Sequence, residues 1–301
     1  MSQLSMKNRR RSHVGTAAAA GLGLLVASFQ PLAPTVARGE PPVPAPSASE
    51  TDELRKSDEL YRSAQRAFQR QDYDQALALF QQYLEWGRSH AHRRERVFWS
   101  LDRIGAIYLR FQRRADLAIA FFERVRTDER LNDVERDTLA EWIEVARAWN
   151  DVGPAQISNA KLLFERGKKY YDSGRAKRNS PMGLATNADY NIAAGYLVPF
   201  IAHHDQDPRV GEALLMMGII RRHSHADDEY WSDNFYLKEV IRRFPHSETA
   251  LRAWTELRSE VIATHSGAGK KTLPASQEEM LKVFHDLADP ASPASDPIET
   301  P

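Results

Sequence analysis

From Asp52 to His265 the apolar residues of this chain recur at steps of three and four with few interruptions. Tyr61, Ala64 and Phe68 form one such stripe, and Ala76, Leu79, Phe80, Tyr83 and Leu84 form the next. Residues so spaced share one face of a 3.6-residue helix, so the pattern predicts amphipathic helices rather than strands. Gln71-Asp72 marks the turn between the first two. A second pair is predicted over about Arg94–Arg110 and Ala115–Arg126. A third begins at Asn132, with Glu135 placed for a capping box, and its second helix starts at Gly153-Pro154, where proline suits a first helical turn. Residues 174–185 (GRAKRNSPMGLA) break the rhythm and predict the longest internal loop. Then follow a helix over 187–203 kinked at Pro199, one from Asp207-Pro208 to about Arg222, one over 228–244, and a long one capped by Ser247 that stops before Gly267. The pattern yields about ten helices and no strand. Short connections make neighbours antiparallel, so the expected fold is all-α: a right-handed α-solenoid of antiparallel helix pairs, each hairpin burying its face on the next.

Within this rhythm an alanine is followed four residues later by a phenylalanine at a fixed step of 42: Ala76/Phe80, Ala118/Phe122 and Ala160/Phe164. Internal repetition at a period of roughly 20–50 residues signals an array of like units. The alanines let two helices approach closely, and the phenylalanines fill the groove between successive hairpins. Replacing one of these rings with alanine is expected to cost about 3–5 kcal/mol.

These residues resemble the tetratricopeptide repeat family, whose unit of about 34 residues carries a large residue, Leu-Gly and Tyr on its first helix and Ala and Phe on its second, with a closing Pro. Leu101, Ile104-Gly105 and Tyr108 match the first helix of a unit, and Ala118, Phe122 and Val125 the second, with one extra residue in the turn. Leu60, Ala64, Asp72-Tyr73, Ala76 and Phe80 match another unit through the string DYDQALALF. Leu214, Met217-Gly218, Leu237, Val240 and Pro245 match a third, and FPHSETALRAWTEL resembles a repeat tail running into the next. The 42-residue step is longer than the family's, Ala64 stands in a glycine position, Asp233 stands in an alanine position, and residues 174–210 fit no repeat. The resemblance covers about 55–170 and 208–262. It implies that Gly105 and Gly218 permit close helix contact. It also implies a superhelix whose concave face grips a partner's peptide or helix; by register that wall carries Arg62, Gln65, Gln69, Asp102 and Arg103.

The ends change the picture. Residues 1–39 contain no acid; Lys7, Arg9, Arg10 and Arg11 precede the apolar run Val14–Phe29, which falls short of the roughly 20 residues a membrane span needs. A positive head, a short apolar run and small residues beyond it predict a secretory signal peptide over 1–37, cut after Ala37, with Ala33 and Ala45 as alternative ends. A twin-arginine signal, an organelle transit peptide and a leader retained as an anchor are competing readings. Residues 38–51 predict a Pro/Ala/Ser linker before the repeat domain, 52–265. Residues 266–301 are expected to stand apart: a flexible linker, a short helix with Met280, Leu281, Phe284 and Leu287 on one face, and a disordered tail. With the leader, the resemblance implies an exported, periplasmic or envelope-associated scaffold whose partners are proteins of an envelope complex. The N-terminal segment would bring it near a membrane.

Charge and chemistry narrow the function. Losing residues 1–39 takes five bases and no acid from a chain with 41 of each, leaving a net charge of −5 and no general attraction for nucleic acid. Cysteine is absent, which excludes disulfides, thiolate metal sites, cysteine nucleophiles and a cysteine-borne lipid anchor. SGAGKKT at 266–272 lacks the first glycine and the Ser/Thr of a phosphate-binding loop. His203-His204-Asp205 and His223–Glu229 read as polar helix ends, with a shared metal site across the two as the alternative. Basic residues cluster at Arg88, His90, His92, Arg93, Arg94 and Arg96, and again at Lys168, Lys169, Arg175, Lys177 and Arg178 beside Tyr170 and Tyr171. Five tryptophans read as packing residues and Trp86 as partly exposed. No nucleophile–base grouping or nucleotide loop appears, so the expectation is a non-enzyme with no cofactor and no metal. Two alternatives stand beside the scaffold: an accessory or catalytic metal protein using His203–Glu229, and a membrane-anchored spacer presenting helix 276–288 to a partner groove.

Overall fold

In the computed structural model the described residues are 48–87, 94–149, 158–178, 186–223, 234–266 and 273–291, and all are helical, turn or connecting backbone with no strand among them. The signal peptide, most of the Pro/Ala/Ser linker, the Gly153-Pro154 helix start, the loop 179–185, His225–Glu229, Trp231, the phosphate-loop-like run and the tail beyond 291 lie outside them. Eleven α-helices are described: α1 Ala48–Gln69, α2 Tyr73–Gly87, α3 Arg94–Ala106, α4 Ala115–Arg126, α5 Asp133–Ala148, α6 Ala160–Ala176, α7 Thr186–His203, α8 Val210–His223, α9 Phe235–Arg243, α10 Glu248–Ser266 and α11 Ala275–Ala288. A π-turn, Ile107–Phe111, continues α3, where the periodicity predicted an unbroken helix.

The turn between α1 and α2 shows how local chemistry sets a boundary. Gln71 takes φ 62°, its N–H donates to Phe68 O, and the Asp72 N–H donates to Ala67 O, the paired bonds of a Schellman cap. The Asp72 carboxylate then accepts from the Gln75 N–H at 3.3 Å and opens α2. Behind the turn Tyr61 meets Phe80 and Tyr83 with centroids 6.1 and 5.0 Å apart. Ala64, Ala76, Phe80, Ala118 and Phe122 are fully buried, and Tyr108 and Phe164 nearly so. A Cβ on Gly105 would lie 3.2 Å from Trp142 and 3.3 Å from Phe122, whose rings meet edge to face at 5.0 Å. A Cβ on Gly218 would press on Leu237, 2.7 Å from its Cγ.

Two packing positions depart from expectation. Ala160, the first residue of α6, is only half-buried, packed at the margin of the core. Pro245 is exposed; it ends α9 between Phe244 and the left-handed His246 (φ 56°) rather than filling a groove.

Helices adjacent in sequence pack on each other along most of the chain: α1 on α2, α2 on α3, α4 on α5, and from α6 to α11 each on the next. The expected third pair, α5 with α6, is not closely packed as the other neighbours are. α5 packs on α4 and α7, while α6 packs on α7 and α8. α6 is drawn to α7 by two glycines one heptad apart: a Cβ on Gly167 would lie 2.6 Å from Leu197, and one on Gly174 would lie 2.6 Å from Tyr190. Gly174, read in sequence as the start of a loop, is a buried contact inside α6.

α7, which matched no repeat, is the most enclosed element. It contacts α3, the π-turn, α5, α6 and α8, and it runs as one helix through Pro199. Its apolar residues surround it rather than forming a stripe, as burial on all sides requires. In a strictly one-dimensional stack each unit touches only its neighbours, so contacts of α7 with α3 and α5 are an addition to that plan.

α11 does not stand apart. Leu281, Phe284 and Ala288 are buried against α9 and α10. The Trp254 Nε1–H donates to Leu281 O at 3.0 Å, and the His246 N–H donates to Leu287 O at 2.9 Å. The apolar face that a spacer would present to a partner groove is already covered by this chain.

Candidate functional site

α5 and α6 are not closely packed on each other, and a cleft lies between them. α5 is oriented by a complete capping box: the Glu135 N–H donates to the Asn132 side chain at 2.9 Å, and the Asn132 N–H donates back to the Glu135 carboxylate at 2.7 Å. Leu139, Trp142, Ile143 and Ala146 are then buried, whereas Ala140, Glu141, Glu144 and Ala148, with the buried Val145 between them, line the side toward α6. Asn159 caps α6 by accepting from the Leu162 N–H at 3.0 Å. With Gly167 and Gly174 on α7, the helix turns Lys169, Tyr170, Ser173 and Lys177 toward α5. Asp189 of α7 forms the floor, and the cleft, open to solvent, has a volume of about 510 Å³.

Charge is sorted across the cleft. The α5 wall carries Glu141 and Glu144; the latter is held by Arg147 at 2.8 Å. The α6 wall carries Lys169, over the Tyr170 ring at 5.4 Å, and Lys177. Lys177 reaches down to Asp189 at 2.8 Å, and that carboxylate side chain is 2% exposed. A buried carboxylate needs such a partner, so this ion pair fixes the floor.

The rear wall is aromatic. Tyr170 stacks on Tyr196 (6.3 Å, 9°), and the Trp149 Nε1–H donates to Tyr196 Oη at 2.8 Å. The Tyr170 phenol is pushed up to about 12, first by burial and then by Tyr196, with Arg166 opposing and Asp189 adding, so it stays a neutral donor. Arg113, held at φ 54° at the end of the π-turn, donates to Gly195 O at 2.6 Å and lies over the Tyr196 ring at 5.6 Å. The cleft therefore rests on a frame reaching from the π-turn through α7 to both walls.

The residues assigned by register to a partner-binding wall do not meet here. Arg62 and Gln69 are exposed on α1, and Gln65 is half-buried with its amide donating to Tyr61 Oη at 3.3 Å. Asp102 and Arg103 are 1% and 3% exposed, and the Arg103 guanidinium lies 5.0 Å from the Phe68 ring centroid. Packed inside, these two do not form an open wall, which corrects their assignment. The reason is that α3 is covered on more than one side, by α2 and α7.

The histidine runs separate as well. The His223 ring sits 6.2 Å from Tyr190 near the start of α7, whereas His203 is at its other end, about 20 Å away at about 1.5 Å per residue. Among the described residues no three His, Asp or Glu come together as a metal site, and no helix is long and apolar enough to cross a membrane.

Of the basic residues, Arg96 pairs with Asp58, Lys168 with Asp172 and Glu212, and Lys177 with Asp189. Lys169, Tyr170 and Lys177, singled out by charge, do line the cleft, while Glu141, Glu144 and Ala148 carry no local signal for it. Compared with known proteins, the chain matches no family model, no curated protein and no solved structure.

Proposed function

We propose that this chain is a non-catalytic protein-binding scaffold of the cell envelope, built as a tetratricopeptide-like right-handed array and exported by its N-terminal segment. The partner docks an amphipathic helix into the α5–α6 cleft. The observation that carries this reading is the cleft's construction: about 510 Å³ over an apolar and aromatic lining, with acids on one wall and lysines on the other. That volume falls within the roughly 300–1,000 Å³ of sites that enclose a ligand group, and helix-in-groove docking uses this combination of apolar anchor and charged edges. The matching helix has a basic edge facing Glu141 and Glu144 and an acidic edge facing Lys169. Export is supported by the basic head and the short apolar run that follows it.

The test is co-purification from native envelopes with wild type and with Ala148→Arg/Lys169→Glu, two exposed positions whose change fills the cleft and reverses one wall. The scaffold reading expects a stoichiometric partner with wild type, its loss with the variant, and unchanged helicity and Tm. A partner retained by the folded variant contradicts docking in this cleft. N-terminal sequencing of the same sample reads the leader: a start near Arg38 supports export, and an intact leader argues for an anchor.

A further inference from the structure

A second hollow lies on the other side of α6, and it is distinct in size and charge from the docking cleft. Tyr171 of α6 with Leu215 and Ile219 of α8 form its floor. Arg175 and Arg178, at and just past the end of α6, stand on one side, and Arg252, Thr255 and Glu256 of α10 stand on the other. Three guanidinium groups thus share a space of about 170 Å³. Among the described residues none of the three has a carboxylate partner. The acid in the lining, Glu256, is already held by Arg222 at 2.9 Å, and Arg222 also binds Glu260 at 2.9 Å.

Helix electrostatics account for part of this arrangement and not for the rest. Arg175 and Arg178 oppose the partial negative charge at the C-terminus of α6. Arg252, the fifth residue of α10, gains nothing from its own helix dipole, and it faces two like charges. Like charges gathered in one hollow, whose single acid is already engaged by Arg222, are stabilised by an anion placed among them. The floor offers a further donor. The Tyr171 ring is 5% exposed, and its phenol is raised by burial, with Glu256 and Asp172 adding and Arg175 and Arg252 pulling it back, so both guanidinium groups act on the same hydroxyl. The Thr255 hydroxyl donates to Leu251 O at 2.9 Å, which leaves the arginines and Tyr171 as the recognising groups.

We propose that this hollow binds the phosphoryl group of a small phosphate monoester, with Arg175, Arg178 and Arg252 gripping the dianion and the Tyr171 hydroxyl donating to it. Planar guanidinium forks match phosphate oxygens two at a time, and three of them balance a dianion more fully than a carboxylate. The volume lies below the roughly 300–1,000 Å³ of pockets that enclose larger ligands, so the site takes the phosphoryl head and leaves the organic part outside.

The experiment is calorimetric titration of the full chain at constant ionic strength with inorganic phosphate, glycerol phosphate, acetate and chloride. Saturable binding of either phosphate with none of acetate or chloride is the expected result. Tighter glycerol phosphate identifies an organic monoester as the source, and equal affinity identifies free phosphate. Arg175→Gln and Arg252→Gln each weaken binding by about tenfold or more, as loss of a charge-assisted hydrogen bond does. Tyr171→Phe weakens it less. Glu256→Gln tightens it, because it removes the acid from the lining while Glu260 still holds Arg222, and a purely structural effect would not give that sign. Absence of saturable phosphate binding, binding equal to acetate, or Glu256→Gln without a gain overturns the site.

Discussion

Two glycines on the α6–α7 pair respond in opposite directions to the same substitution. Ala is favoured over Gly inside a helix by about 1 kcal/mol, so Gly→Ala stabilises wherever the new methyl has room. At Gly195 it has room: a Cβ would lie 3.6 Å from the Arg110 carbonyl oxygen, an ordinary contact. At Gly174 it does not. The Cβ would lie 2.6 and 2.7 Å from Tyr190 ring carbons and 3.3 Å from Asp189 Cβ. Tyr190 cannot swing aside, because it is fully buried with its ring against Tyr171 at 6.0 Å and His223 at 6.2 Å. Overpacking of this kind costs about 1–3 kcal/mol, which offsets the propensity gain and leaves Gly174→Ala destabilised by about 1 kcal/mol. Gly195→Ala gains about 1 kcal/mol, so the two variants separate by about 2 kcal/mol, or about 4–8 °C in Tm for a domain of this size. Urea unfolding followed by helicity reads both values at unchanged slope. Equal stabilisation by the two substitutions refutes the close α6–α7 packing from which the cleft is derived.

Other outcomes follow from single sites. Phe122→Ala, at a fully buried ring set edge to face on Trp142, lowers unfolding stability by about 3–5 kcal/mol in urea. Gln71→Gly relieves the left-handed strain at the α1–α2 cap and raises stability by about 0.5–1 kcal/mol, the excess of the strain over the entropy cost of glycine. Asn132→Ala removes the α5 capping box and costs about 1 kcal/mol. The Asp207 carboxyl is held at about 2 by hydrogen bonds from the Arg209 side chain and backbone, so NMR titration finds its midpoint there and a higher one in Arg209→Met. Its folded-state value is depressed, so its contribution is present above the ordinary carboxylate range and is lost as pH falls from that range toward about 2.

The helices are legible in the sequence because each stripe is local. Tyr61, Ala64 and Phe68, or Ala76 and Phe80, declare a buried face by spacing alone, and Asn132 with Glu135 declares a helix start. Pairing is not local. The step from Ala118 to Ala160 suggests that α5 and α6 form a hairpin, but the glycines that decide the matter, Gly167 and Gly174, show their meaning only once Leu197 and Tyr190 lie against them. α7 hides for a related reason: a helix buried all round has no stripe to find. The cleft inherits this. Its lysines are visible as a basic run, whereas Glu141 and Glu144 look like an ordinary solvated face. Arg252 reaches the arginine hollow from more than seventy residues away in sequence, beyond any motif.

The chain has no cysteine, so a single introduced thiol reports one position without interference. The most direct measurement places a photo-crosslinker on Ser173→Cys inside the cleft and, separately, on Arg62→Cys on α1, in native envelopes. A partner helix seated between α5 and α6 gives one discrete adduct from position 173 that disappears with Ala148→Arg/Lys169→Glu. An adduct from position 62 alone, or one from 173 that survives those changes in the folded variant, contradicts the cleft as the docking site.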